Sequence, residues 1–343
     1  MIRTPAFRMP RVPSLASMRS SIRAFRGQTA TLARIGEVRE LVHAQQQRTM
    51  GNPKLFHTVA PKLQATSPSD QRPTSDPRVD ILCSVTPAPG GGNRTVANVT
   101  VSNPKRLNSI TGDMVQKLAS TLRQLSQQPD LRCLVIQGAQ TATRSPAMTS
   151  GADVYQMANI KSYEEAEEFI SGLHEACQAM RDIPVPTIAK IDGLCLGGGL
   201  ELVAGCDFRY ATRRSTFSMP ETKLAIPSVI EARLLANIIG WQKAKEMVYF
   251  ARIYTAEEVE AWGLVDKTCQ DMQELEETVN EAVTTISSYG PKAMREQKAL
   301  CKFWEENDLV SGIKAGIHSY ASMFQDGGSE PAQYMKAFTE RKR

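Results

Sequence analysis

Glu201 and Glu221 stand twenty positions apart, and the first of them follows a glycine-rich turn, Leu196-Gly197-Gly198-Gly199-Leu200. Two carboxyl groups at one site can take a proton from one atom and deliver one to another. Glycines placed where a strand passes into a helix leave backbone amides open at the positive helix end, where a developing oxyanion is stabilised. By itself a run of three glycines fits a ligand-free tight turn equally well. A second small-residue loop, Arg144 to Asp153, ends in Ser150-Gly151-Ala152-Asp153-Val154 and is able to present another amide. Each such donor is worth on the order of 3 to 4 kcal/mol of barrier. Two acids beside a two-donor oxyanion hole are what water addition next to a thioester carbonyl requires.

These residues need strands and helices to hold them. Ile188 to Ile191 reads as a strand feeding the glycine turn, and Leu131-Arg132-Cys133-Leu134-Val135-Ile136-Gln137-Gly138 as a buried strand ending in glycine. Val79, Ile81, Cys83 and Val85 alternate onto one face, as do Ala97, Val99 and Val101, which predicts a β-hairpin with a long turn. Met114, Leu118, Leu122 and Leu125 recur at helical spacing. Ser162 to Met180 predicts a long helix that opens acidic, with Ser162 as its N-cap. From Glu231 onward the pattern is almost wholly helical. Strands alternating with helices argue for parallel pairing and an α/β core. Ser228-Val229-Ile230-Glu231 matches an S-x-x-E capping box, so Glu231 is read as a helix start and not as a third catalytic acid. Asp207 and Tyr210 are read as structural.

The chain has 343 residues, 41% hydrophobic and 22% charged, which is ordinary for a folded soluble protein. No apolar stretch approaches the roughly 18 to 20 residues that cross a bilayer. The net charge of +5 is concentrated at the N-terminus, where the first fifty residues hold nine arginines against two glutamates. The remainder is close to balanced, and nucleic-acid binding is not expected of it. Seven cysteines without CxxC pairs argue for reduced thiols in a non-secretory compartment. The four histidines show no ligand spacing, so no metal site is expected.

Residues 1–36 contain seven arginines and no acid, with serines, threonines and alanines between them. That composition predicts a mitochondrial transit sequence over 1–49. Residues 50–77 are polar and punctuated by proline, which predicts a disordered linker. The folded enzyme is expected to start at Arg78, with a catalytic core over 78–275 and a helical region over 276–343.

The run from Ile188 to Phe217, followed by Ser218-Met219-Pro220-Glu221, resembles the crotonase superfamily of enoyl-CoA hydratase/isomerase proteins. Asn103-Pro104-Lys105-Arg106-Leu107-Asn108 is similar to the family's first CoA-contacting segment, and Ser150-Gly151-Ala152-Asp153 to its oxyanion loop. Ala256 to Val265 and the tail from Tyr334 to Arg343 follow in family order. The resemblance covers nearly everything after about residue 78. It implies an α/β fold: a crotonase-like ββα spiral core with a helical C-terminal trimerisation region, assembled as a homotrimer or homohexamer.

It further implies a hydratase-type lyase in which Ala152 and Gly198 form the oxyanion hole. Glu201 would activate water for attack on C3, and Glu221 would protonate C2. Lys105, Arg106 and Leu107, with Ala152, Asp153, Val154, Tyr155 and Gly198, would follow coenzyme A. Coenzyme A enters as part of an acyl-CoA thioester substrate, and no separate cofactor is implied. The chain departs from the family at Pro227 to Leu234, where bulkier residues such as Val229 and Ile230 replace a glycine-rich loop and must reshape the wall beside Glu221. Two further readings remain open: an enoyl-CoA delta isomerase using Glu221 as a proton shuttle, and a crotonase-fold RNA-binding or scaffold protein. For the last, the chain lacks a clear lysine-lined helix.

Overall fold

The computed structural model describes residues 78–340, so the segments read as transit sequence (1–49) and linker (50–77) lie outside the described residues. The chain runs β1 (Asp80–Pro87), β2 (Thr95–Ser102), α1 (Gly112–Ser126), β3 (Leu131–Gly138), β4 (Ala147–Thr149), α2 (Val154–Met157), α3 (Tyr163–Arg181) and β5 (Thr187–Ile191). It continues through β6 (Leu194–Leu196), α4 (Gly198–Ala204), β7 (Phe208–Thr212), β8 (Thr216–Ser218), α5 (Ala232–Phe250), β9 (Tyr254–Thr255), α6 (Ala256–Ala261) and β10 (Lys267–Cys269). The helices α7 (Met272–Ser288), α8 (Pro291–Glu306), α9 (Leu309–Ser322) and α10 (Ser329–Thr339) complete it, α7 running across residue 276.

Two sheets result. The larger has the order β1-β2-β3-β5-β7-β10, and only its β1–β2 edge is antiparallel. The smaller has the order β4-β6-β8-β9, in which β4, β6 and β8 are parallel. The continuous apolar run of β3 has a direct cause. Leu134 and Ile136 enter the main core with α1, α3 and α5, while Cys133 and Val135 enter a second cluster under α7. Both faces of the sheet are therefore covered.

Several local expectations hold. Ser162 accepts from the Glu165 amide at the start of α3. Two do not. Ile81 is buried, but Cys83 and Val85 on the same face of β1 are exposed, because this edge strand pairs only with β2 and little packs over its far end. The almost wholly helical reading after Glu231 also missed β9 and β10. These two- and three-residue strands are too short to show a period, yet β10 forms the far edge of the large sheet and β9 that of the small one. No helix among the described residues is long and apolar enough to cross a membrane.

Candidate active site

The small sheet explains how residues far apart in sequence meet. Strands β4, β6 and β8 lie side by side in parallel, with Leu196 opposite Ser218. Each ends at the same side of the sheet and hands the chain to a turn. After β4 comes Ser150-Gly151-Ala152, after β6 the glycine turn with Glu201 on α4, and after β8 the 3-10 turn that begins at Glu221. The Gly197 amide donates to the Ser218 carbonyl at 2.9 Å, which ties the second turn to the third.

Gly197 has φ 51°, and a Cβ there would lie 2.6 Å from Oε1 of Glu221. Glycine is required both by the backbone and by the acid that packs on it. A Cβ on Gly198 would fall 2.7 Å from Leu173, 3.7 Å from the Ala152 nitrogen and 3.8 Å from Oε2 of Glu201. The Ala152 amide, the Gly198 amide and the Glu201 carboxyl thus surround one small volume. Among the described residues neither amide donates a hydrogen bond. A cleft of about 80 Å³ opens there, lined by Ala152, Gly198, Glu201 and Glu221 and walled by apolar side chains, among them Ile170, Leu173 and Val229.

The two acids differ in setting. Glu201 is 3% exposed, and its Oε1 accepts from the Ala232 amide at 3.1 Å. Burial first, and then the charge of Glu221, push its carboxyl up to about 8, against the pull of the Ala232 amide. Glu221 is half-buried, with Oε2 accepting from the Ser228 hydroxyl at 2.9 Å. Burial raises it too, opposed by its own backbone amide and by Ser228. Two acids that both hold protons above the usual carboxylate range suit proton transfer near neutral pH.

The segment expected to follow coenzyme A is built beside this cleft. Leu107 accepts from the Ser150 amide at 2.9 Å, which sets the Lys105-Arg106-Leu107 loop against the turn after β4. Asn108, fully buried, fixes that loop by donating to the carbonyls of Ala139 and Ala147. Arg106 pairs with Asp153 at 2.9 Å and lies 4.5 Å over the Tyr155 ring. Asp153 is 1% exposed and caps α2 through the amides of Tyr155 and Gln156. Burial disfavours its charge, but Arg106, Gln156 and Ser109 outweigh that and hold its carboxyl below the usual range. Its side chain therefore braces the segment. Val154 reaches the cleft; Lys105, Arg106, Leu107, Asp153 and Tyr155 do not line it.

One expectation is corrected here. Ser228 does not cap α5, because its hydroxyl is committed to Glu221. Glu231 occupies the N-cap position without a capping hydrogen bond. Its side chain is buried and meets Nδ1 of His174 at 2.8 Å. The S-x-x-E spacing is real, but tertiary partners took both side chains. Ile230 beside it carries φ 39°, a costly value for a β-branched residue. Sequence reasoning also missed Ile170 and Leu173, whose apolar spacing on α3 reads as core.

Over residues 91–343 the chain matches the family model for enoyl-CoA hydratase/isomerase. It belongs to that family. Human mitochondrial methylglutaconyl-CoA hydratase is 31% identical over 234 residues, 67% of this chain and 67% of that protein. A peroxisomal Δ(3,5)-Δ(2,4)-dienoyl-CoA isomerase of Arabidopsis thaliana is 28% identical over 231 residues, 64% of this chain and 81% of its own length. The crystal structure of a Bacillus anthracis enoyl-CoA hydratase superposes with a TM-score of 0.68 at 27% identity, covering 76% of this chain and 96% of that one. As a member of the crotonase superfamily with a central sheet and C-terminal helices, this enoyl-CoA hydratase/isomerase family enzyme acts on CoA thioesters.

Proposed function

We propose that the protein is a hydratase-type lyase that adds water across a 2-enoyl-CoA thioester. The observation that carries this reading is the convergence of two acids and two undonated amides on one cleft. The amides of Ala152 and Gly198 hold the thioester oxygen. Glu201 takes a proton from water as its oxygen bonds to C3. The C2=C3 π pair then becomes the enolate, with charge gathered on the thioester oxygen. Glu221 gives its proton to C2, and the two acids re-equilibrate with solvent. Lys105, Arg106, Leu107 and the backbone from Ala152 to Tyr155 follow the rest of coenzyme A. The second reading, double-bond isomerisation with Glu221 moving one proton between C2 and C4, draws support from the same enolate site and from the isomerase relative.

The deciding experiment is turnover of a panel of 2-enoyl- and 3-enoyl-CoA thioesters by the purified enzyme and by Glu201→Gln. Hydration in the variant falls by about 10² to 10⁴-fold, the usual worth of a positioned acid or base. Isomerisation retained in the variant assigns Glu201 to water; hydration undiminished removes it from the mechanism.

Delivery to mitochondria by the arginine-rich residues 1–49 is part of this proposal, supported by composition alone. A fluorescent protein carrying that segment goes to mitochondria, and a cytosolic signal refutes it. Assembly into a trimer or hexamer is also proposed. Its support is α9, where Leu309, Ile313, Ile317 and Tyr320 form one exposed apolar stripe, while Gly312 and Gly316 on the flank beside it pack against Trp304.

A further inference from the structure

Behind Glu201 lies a third carboxyl group that the proposed chemistry does not use. Glu231 is 5% exposed, and its Oε1 meets Nδ1 of His174 at 2.8 Å. Its Oε2 is buried with no nitrogen or oxygen donor among the described residues, and the weak donor beside the carboxyl is the buried Cys177 thiol. Such an arrangement costs stability unless something else needs it. Glu231 immediately precedes Ala232, the residue whose amide holds Oε1 of Glu201. His174 immediately follows Leu173, the side chain that packs on Gly198. A single contact between α3 and the start of α5 thus fixes the neighbours of both the inner acid and the oxyanion turn.

The groups facing this pair are few. From α3 come His174 and the fully buried Cys177, whose thiol is raised well above its ordinary value by burial and then by the charges of Glu231 and Glu201. From α4 comes Glu201, and from the turn after β8 comes Glu221, whose charge acts on Glu201 more strongly than that of Glu231 does. Cys206 also acts on the Cys177 thiol. No lysine or arginine is paired with Glu231 among the described residues; its partner is the His174 ring. His174 is half exposed, so the clamp has one end in solvent.

We propose that Glu231, clamped by His174, is a positioning residue for Glu201: it fixes the first turn of α5, whose Ala232 amide aims the inner carboxyl. The inference rests on the assignment of Glu201 to the reaction. The link between the two acids does not, because the response of the Glu201 carboxyl to Glu231 is readable without turnover.

The test is Glu231→Gln, which keeps size and an acceptor for His174 but removes the charge. In this variant kcat falls by about tenfold with KM nearly unchanged, a loss of roughly 1.4 kcal/mol felt after binding. The pH profile of kcat/KM moves to lower pH by about half a unit, roughly threefold in the protonation equilibrium. The midpoint of the Glu201 carboxyl, followed by ¹³C NMR and assigned by its loss in Glu201→Gln, moves the same way. His174→Ala, altered at the exposed end, serves if the first variant does not fold; it lowers kcat with KM unchanged and displaces the same midpoint. A variant with a lowered melting temperature but an unmoved Glu201 midpoint and pH profile overturns the proposal and leaves Glu231 a fold residue. Absence of turnover by the wild type on every enoyl-CoA thioester overturns the proposed reaction instead, while the NMR midpoint still decides the electrostatic link.

Discussion

Glu201 is the residue on which pH acts most directly. Its carboxyl sits at about 8 in the folded protein, and its ordinary value is 4.5. In the proposed hydration Glu201 must be ionised while Glu221 keeps its proton, so the competent pair carries one proton and kcat/KM falls as pH climbs through about 8. The reverse dehydration uses the same singly protonated pair with the proton on Glu201, and because water addition consumes no net proton its kcat/KM falls in parallel. A hydration kcat/KM that keeps rising through that window would remove the proton-donating acid from the mechanism. Stability runs in the same sense. A carboxyl raised by folding contributes fully below its unfolded value and loses that contribution as pH climbs through the folded one. Glu201→Gln removes the burial of charge. The variant should match the wild type near pH 4 and exceed it above pH 8 by on the order of 3 kcal/mol, measured by urea denaturation at both pH values.

At the scale of elements, the site depends on three parallel strands ending in register and on a turn that tolerates no side chain. Gly197→Ala places a methyl group 2.6 Å from Oε1 of Glu221 in a backbone with φ 51°. Strain of that kind costs about 1 to 3 kcal/mol, and the acid must swing away. We expect kcat to drop by at least about tenfold with a smaller change in KM, since the misplaced group acts only on the reacting carbons. Unchanged kcat would show that Glu221 does not need its seat on the turn. The long helix α3 was readable in the sequence from its acidic opening and Ser162. Its part in the cleft was not, because Leu173 looks like any other core leucine until Gly198 is packed on it.

For the whole molecule, the exposed stripe on α9 is the largest claim on a partner. Leu309 is 79% exposed, Ile317 68% and Tyr320 69%, all on one face. Changing Ile313 and Ile317 together to glutamate should yield monomers in sedimentation equilibrium, with the wild type three- or sixfold heavier. An unchanged mass would place the interface elsewhere. The exposed outer half of β1 is a weaker candidate because Leu82 and Val85 alternate onto opposite faces of the strand.

The sequence by itself determined the local and periodic features. These were the apolar alternation of β2, the continuous apolar run of β3, the helical spacing of α1, the cap of α3, and the acids and glycines of the family motif. Each is written in neighbours a few positions apart, where propensity and hydrogen bonding act without the rest of the chain. Tertiary structure alone decided which partners those residues took. Ser228 left its expected cap for Glu221, Glu231 turned to His174, and β10 became a sheet edge with too few residues to announce itself. The reason is that burial and charge pairing depend on segments brought together only by folding. A carboxyl group's proton affinity is set by what surrounds it in space, and that surrounding comes from four separate stretches of the chain.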